Sequence, residues 1–422
     1  MTPPLEETWA LRGPLLTPEA DGGVRWDRDG ALVCAGGAIV YAGSFRGMKG
    51  KHKGPVRDVR PWVIAPGFID THTHFPQTRI IGQATGPLLA WLKDSVFPEE
   101  ARFARTPYAR TVADEFIDRM LTQGTTCAAI FSSSSERATH ALFEKLADRG
   151  MRAVAGLTLM NQHCPKALQV TRRDAIQACE RLIKRWHGYD RQRLRFGITP
   201  RFALSCSKGL LEDAGRLANE ATLLVQTHIG ETHAEGNKTL EAHGYAHDYL
   251  DVYERAGLVH ERTILAHAIH LSASEWARTA KAGAAIAHCP DSNFFLGSGH
   301  MKLNRVQKRG IPVALGSDVA AGRAFSMRRA MASAYDNSLC VGSPAQTRQL
   351  YRLATIDGAR ALHCDEHTGS LERGKDADFI LLDVGSPGPS LDDVLSQVLF
   401  DNERAAVREV YVRGSRLALT TS

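Results

Sequence analysis

No two cysteines in this 422-residue chain stand in a C-x-x-C spacing, and all eight are scattered. With no export signal in sight, that pattern reads as free thiols in a reducing compartment rather than a disulfide framework. The first 20 residues, "MTPPLEETWALRGPLLTPEA", lack a basic segment followed by an apolar one, so no signal peptide is expected there. No run comes near the roughly 18 apolar residues of a membrane span, which argues against a membrane partner. Basic charge is also thin: the formal balance is +6, and the densest cluster, "RGMKGKHKG" from Arg46 to Gly54, is short and glycine-rich. It reads as a solvated loop and not as the broad basic face of a nucleic-acid binder. No G-x-G-x-x-G opens a helix after a strand, so a dinucleotide fold lacks support. Internal repeats and low-complexity tracts are missing as well. These absences lead to the expectation of a cytoplasmic protein with no membrane and no nucleic-acid partner.

What is present is an ordinary globular composition, 43% hydrophobic and 23% charged, in a chain long enough for one large domain or two. Short β-rich runs alternate with longer amphipathic stretches. Strands are expected at residues 67–74, 125–131, 152–160, 194–202, 223–228, 263–267, 284–288 and 312–318. Helical periodicity lies between them, as in "RTVADEFIDRMLTQG", "ERATHALFEKLADRG" and "RRDAIQACERLIKRWHG", each closed by a glycine. Eight strands alternating with helices point to α/β architecture with parallel pairing: a (β/α)8 barrel, with a doubly wound open sheet as the alternative. The flanks differ. "GALVCAGGAIVYAG", "KDADFILLDVG" and "VREVYVRGSRLAL" show strand character without helical period. The expected division is a small β domain formed from both chain termini, residues 1–65 and 368–422, around a barrel at 66–367.

Polar residues gather at the ends of the expected strands. The first strand closes on His72 and His74, in "APGFIDTHTHFPQTRIIG". The fourth closes on Arg201 and Phe202, the fifth on His228 with Glu231 just beyond, the sixth on His267, the seventh on His288 and the eighth on Asp318. In a barrel all C-terminal strand ends meet at one face, where active sites form. Residues i and i+2 of a strand share a side, so His72 and His74 can point into the mouth together. Three or more imidazoles with a carboxylate and no thiolate suit zinc or iron. Where two-metal barrels carry a carbamylated lysine at the fourth strand end, this chain has Arg201, so one ion is expected. Each histidine alone also has a plain reading as a satisfied core group, and Asp318 alone could cap a helix. His270 and His288 read as supporting or structural groups, and His140, His163 and His187 as surface or packing residues.

The strings "PGFIDTHTH", "QTHIGE", "LAHAIH", "LGSDVAAG" and "TGSLERGKDADFILLD" resemble the amidohydrolase superfamily over essentially the whole chain. Within it, "HTHFPQ", "FPEE", "ITPRFALSCS" and "HCPDSNFFLGSG" are similar to the guanine deaminase family. That resemblance implies zinc-dependent hydrolysis of guanine to xanthine and ammonia, in purine catabolism or salvage. It implies one Zn2+ per chain on His72, His74, His228 and Asp318, with His267 beside the metal as a hydrogen-bonding group or a further ligand. It implies Glu231 as proton shuttle, catalytic together with Asp318 and His267, and Gln77, Arg201 and Phe202 as the groups that hold the small-molecule substrate, guanine. Homodimers are common in the family. One departure stands out: relatives often read Ser or Cys, then Glu-Asn, where this chain has Gly230-Glu231-Thr232.

The chemistry fits those residue types. Arginine's planar fork suits a carbonyl oxygen and a ring nitrogen, and glutamine offers both donor and acceptor to a purine edge. A general acid such as Glu231 must change protonation state, which a partly desolvated site favours. The alternatives are a hydrolase of another aromatic heterocycle (a pterin, a triazine or a cytosine-like ring) on the same scaffold, or a barrel kept only for assembly. The other zinc deaminase architecture, with H-x-E and P-C-x-x-C, is excluded by the missing C-x-x-C.

Overall fold

Strands and helices alternate eight times along the central part of the chain in a computed structural model that describes residues 8–84, 86–401 and 405–419. The outermost ends of both flanks thus lie outside the described residues. Strands are numbered here in chain order. The barrel comprises β6 (Phe68–His74), β7 (Thr125–Phe131), β8 (Arg152–Gly156), β10 (Leu194–Pro200), β11 (Leu224–Ile229), β12 (Thr263–His267), β13 (Ala285–His288) and β14 (Val313–Leu315). Their spatial order follows the chain, and every barrel pair is parallel. Short β9 (Thr158–Leu159) also pairs with β10. A (β/α)8 barrel, and not an open sheet, is therefore the fold.

The ring does not close by a strand ladder between β14 and β6. Side chains and turn backbone bridge that seam instead. Thr71 Oγ1 donates to Leu315 O at 2.8 Å, and Asp70 Oδ1 accepts from Ser317 N at 2.9 Å. Asp318 N donates to His72 O at 2.8 Å and His74 N to Val319 O at 3.2 Å.

A second sheet is built from both flanks. It orders β17 (Ser415–Leu417), β16 (Ala406–Val412), β15 (Phe379–Asp383), β5 (Val63–Pro66), β1 (Trp9–Pro18), β2 (Val24–Ala35) and β3 (Ala38–Ser44), with β4 (Val56–Asp58) beside β1. The glycines in "CAGGAIV" make its tight turn: Gly36 and Gly37 have φ of 57° and 84°, in the left-handed region that glycine tolerates. Arg152, fully buried at the start of β8, ties the sheets together. Its Nε donates to Asp378 Oδ2 at 2.9 Å, and its Nη2 meets Asp376.

Two expected strands differ. Residues 152–160 form two pieces, β8 and β9, because the chain breaks from the ladder at Leu157. The eighth strand is only three residues long, since Gly316 to Asp318 turn toward β6, Asp318 having φ of 50°. The helices match their spacing closely. That of Glu136–Arg149 is capped by Ser135 and ends on Gly150 at φ 76°. No described helix is long and apolar enough to cross a membrane.

Candidate functional site

The strand-end residues converge. β6 is buried throughout, and its two-residue side-chain period aims His72 and His74 into the barrel mouth. Their Nε2 atoms are 3.2 Å apart, and His74 Nε2 is 3.1 Å from His228 Nε2. Asp318 Oδ1 lies 3.2 Å from the Nε2 of both His72 and His74. His267 joins them: His72, His228, His267 and Asp318 offer ligand atoms that all lie within 4.8 Å of one another.

The donor chemistry fits a cation. His228 Nδ1 faces the carbonyl oxygen of Arg201, which can only accept, so the proton sits on Nδ1 and Nε2 presents a lone pair. His267 Nδ1 bonds Asn293 Oδ1 at 3.0 Å, while its buried Nε2 has no hydrogen-bond partner among the described residues. Tetrahedral ligands about 2.0–2.1 Å from a zinc ion stand about 3.3 Å from each other, close to the observed separations. Burial favours the neutral form that a metal ligand takes in two of them: it drives His74 down to about 3 and His228 well below the usual range. Burial would raise Asp318, but hydrogen bonds from His72 and His74 outweigh it and hold the carboxyl well below its ordinary value. Phe131 closes the floor, its ring centroid 4.8 Å from those of His72, His74 and His228. His267 and Asp318 both have positive φ, 67° and 50°, a strained backbone for residues with side chains.

Glu231 stands next to this cluster, 3.5 Å from His267 Nε2 through its Oε2, and its Oε1 accepts from Ser298 Oγ at 3.3 Å. Burial, helped by the negative charge of Asp318, pushes its carboxyl up to about 8. His270 Nε2 donates to Ser298 O at 2.8 Å and so steadies the loop that carries Ser298. The unusual neighbours of Glu231 have local reasons. Gly230 has φ of 54°, and Thr232 caps the helix His233–Ala242 by accepting from Glu235 N at 3.1 Å.

The cluster opens onto a pocket also lined by Gln77, Arg201, Phe202, Trp91 and Glu235. Arg201 is buried and shares one nitrogen with a carboxylate: Nη1 donates to both oxygens of Glu100, at 2.7 and 2.6 Å. Its Nε and Nη2 make no hydrogen bond to a described residue. Gln77 is similarly committed. Its Oε1 accepts from Ala320 N at 3.0 Å and its Nε2 donates to Glu100 Oε1 at 3.4 Å, leaving one N–H and one lone pair. Phe202 packs in the pocket wall, buried. His288 lies at the end of β13, fully buried, with neither ring nitrogen bonded to a described residue. His140 accepts from Trp186 Nε1 at 3.0 Å and His187 Nδ1 accepts from Phe196 N at 3.3 Å, both as packing groups.

The sequence reading assigned no part to Glu100, Trp91, Phe131 or Glu235. "FPEE" did carry Glu100, as a string without a role. Trp91 begins a stretch where the helix Leu88–Trp91 passes into a π-turn at Leu92–Val96, an irregularity that no spacing rule announces.

Comparison with known proteins agrees with this picture. The Amidohydrolase family model matches residues 63–417. A guanine deaminase of Escherichia coli (strain K12) is 34% identical over 400 residues, covering 93% of this chain and 89% of that one. A probable guanine deaminase of Deinococcus radiodurans is 38% identical over 382 residues, 87% and 85% of the two chains. A solved structure of E. coli guanine deaminase superimposes with a TM-score of 0.93 at 31% identity, covering 97% of this chain and 99% of that one. One from C. acetobutylicum with bound guanine in the active site gives 0.91 at 29% identity, covering 97% and 100%. Barrel, convergent donors and these matches together make the chain a member of the amidohydrolase family, in its guanine deaminase branch, and a hydrolase acting on C–N bonds.

Proposed function

We propose that this enzyme deaminates guanine, replacing the 2-amino group with an oxygen from water to give xanthine and ammonia, with one zinc ion per chain, in purine catabolism or salvage. The observation that carries the reading is a single pocket lined by His74, His228, Asp318, Glu231 and the free edge of Arg201. Guanine deaminases at 34% and 38% identity support the substrate, as does bound guanine in the structural relative from C. acetobutylicum.

His72, His74, His228 and Asp318 would hold the ion, and His267 lies close enough to join them or to orient water. When bound, the ion would supply Lewis acidity, which lowers the pKa of water to about 7. The residues carry the rest. Asp318 takes the proton that water gives up as its oxygen attacks C2 of the purine. Glu231, neutral at the start, donates to the ring nitrogen N3, which makes C2 more electrophilic. Recharged by the proton that Asp318 took from water, it delivers that proton to the departing amine, and it recovers the C2 hydroxyl proton as the carbonyl forms and ammonia leaves. His267 stabilises the charge that develops on the attacking oxygen. Nε and Nη2 of Arg201 and the spare N–H and lone pair of Gln77 orient the carbonyl side of the base, and Phe202 packs against the ring.

The test is a substrate panel. Zinc-loaded protein is incubated with guanine, adenine, cytosine and pterins, and ammonia is followed. Guanine is expected to dominate, with about one zinc per chain by elemental analysis. Preferred turnover of another ring would replace the substrate assignment, and active protein without stoichiometric metal would end the metal reading.

A further inference from the structure

Glu235 is a third carboxyl in the pocket, beside Glu231 and Asp318, and the reaction as derived makes no use of it. It sits in the first turn of the helix His233–Ala242, four residues after Glu231, and both carboxyls line the same pocket. It is 1% exposed. Its position is over-determined: Tyr249 OH donates to Oε1, and Thr232 caps the backbone beneath it. Oε2 is buried, with no hydrogen-bond partner among the described residues, although Glu235 lines the pocket beside Glu231. A fixed, buried carboxyl oxygen without a partner is costly unless a bound molecule provides one.

Purine connectivity says which group that is. Along one edge of guanine lie the 2-amino group, N3 and then N9, with N3 and N9 both bonded to C4. Glu231 addresses the amine and N3, and Arg201 with Gln77 serves the carbonyl side. The polar position next to N3, farther along the edge, is N9. We propose that Glu235 accepts a hydrogen bond from N9–H through Oε2, and that it thereby restricts the site to free bases. A base substituted at N9, as every nucleoside and nucleotide is, has no proton to offer there and would press its substituent into a buried oxygen. This rests on the guanine reading above.

The experiment compares guanine with 9-methylguanine in wild type, Glu235→Gln and Glu235→Ala. Glutamine is isosteric and still accepts from Tyr249, but it presents an NH2 where an acceptor is needed. Facing N9–H with an NH2 leaves a buried donor unpaired, which costs about one to two decades in affinity, so Glu235→Gln should raise KM for guanine by about 10- to 100-fold. Its kcat should stay within about threefold and its Tm unchanged, because the reacting atoms are not touched. Wild type should use 9-methylguanine at least about 100-fold less efficiently than guanine, and Glu235→Ala, by opening space, should narrow that ratio by about tenfold. Comparable use of both bases by wild type overturns the proposal and needs no variant. An unchanged KM in Glu235→Gln, with or without a lowered Tm, also overturns it and leaves Glu235 a structural group. Absence of guanine turnover in wild type would instead remove the function on which the proposal stands.

Discussion

Glu231 lines the pocket, Glu100 stands behind Arg201 in its wall, and the two buried carboxyl groups have contrasting surroundings. Glu100 is neutralised by Arg201 at 2.6 Å, whereas Glu231 faces only the Ser298 hydroxyl and a ring of imidazoles and carboxylate. A carboxyl that must give up and regain a proton needs the second kind of environment. Glu231→Gln should therefore keep fold and bound metal but lose turnover by at least about 10²-fold, the usual scale for a general acid, measured as kcat at saturating guanine. Near wild-type kcat would remove Glu231 from the chemistry. Arg201→Lys asks a different question. An ammonium can still pair with Glu100, so Tm should hold, but it loses the fork proposed to hold the substrate, and KM for guanine should rise by about one to two decades. A fall in Tm with KM unaltered would mean that Arg201 only braces the rim. Residues of this kind were unequally legible in sequence. His72, His74, His228, His267 and Asp318 each end an apolar run, and strand direction then sends them all to one face. Glu100 and Glu235 lie on helices, where a carboxylate every three or four residues is what any solvated face shows. Only packing reveals that these two are buried.

At the level of elements, barrel strands were easy to place because each is a short buried run flanked by an amphipathic helix. Their ends were harder. The stretch from Gly316 to Asp318 reads as strand by its composition, but the chain turns there through a left-handed aspartate that sequence periodicity does not encode. The helix Pro290–Phe295 shows how an element serves the site indirectly. Its Asn293 holds His267, while its Asp291 anchors it to the next segments. Asp291 accepts from Arg323 N at 2.7 Å, Arg323 Nη2 at 2.6 Å, Arg329 Nε at 3.0 Å and Ser333 Oγ at 3.1 Å. Burial alone would raise its pKa, but the bonds from Arg323 outweigh this and hold it below the usual carboxylate range. A native value depressed in this way stabilises the fold above the unfolded value, about 3.9, and that contribution is lost as pH falls through the native value. Asp291→Asn should thus cost roughly 2–4 kcal/mol at pH 7. The difference from wild type should shrink steadily in denaturant titrations run below about pH 4. A difference that stays constant with pH would mean that the charge is irrelevant.

Across the whole molecule, two sheets are held together by a buried ion pair at the end of the barrel opposite the site. Arg152 begins β8, and the C-terminal ends of the strands bear the chemistry, so its role belongs to the stable face of the barrel. Arg152→Met would leave Asp378 buried without its cation and should lower the unfolding free energy by about 3–5 kcal/mol, with KM for guanine unchanged. An altered KM would show that the sheets are coupled through to the pocket. That both flanks form one sheet was legible because neither has enough apolar surface to fold alone; that an arginine from the barrel fastens them was not, because Arg152 looks like any basic residue opening a strand.

The seam between β6 and β14 gives the proposed ion a second job. This barrel is a hoop with one joint left unglued: His72 and His74 stand on one side of the joint, Asp318 on the other, and a few side-chain and turn bonds span the gap. A cation held by all three is a rivet through that joint. Stripping it with a chelator would leave the joint to these few bonds and to the contacts of His72 and His74 with Asp318 at 3.2 Å, so the hoop should open at this place first. Hydrogen exchange should then quicken at the amides of His74 and Asp318, which bond across the gap, well before it quickens between β10 and β11 on the laddered side. Uniform protection around the ring after chelation would show that the joint holds without its rivet.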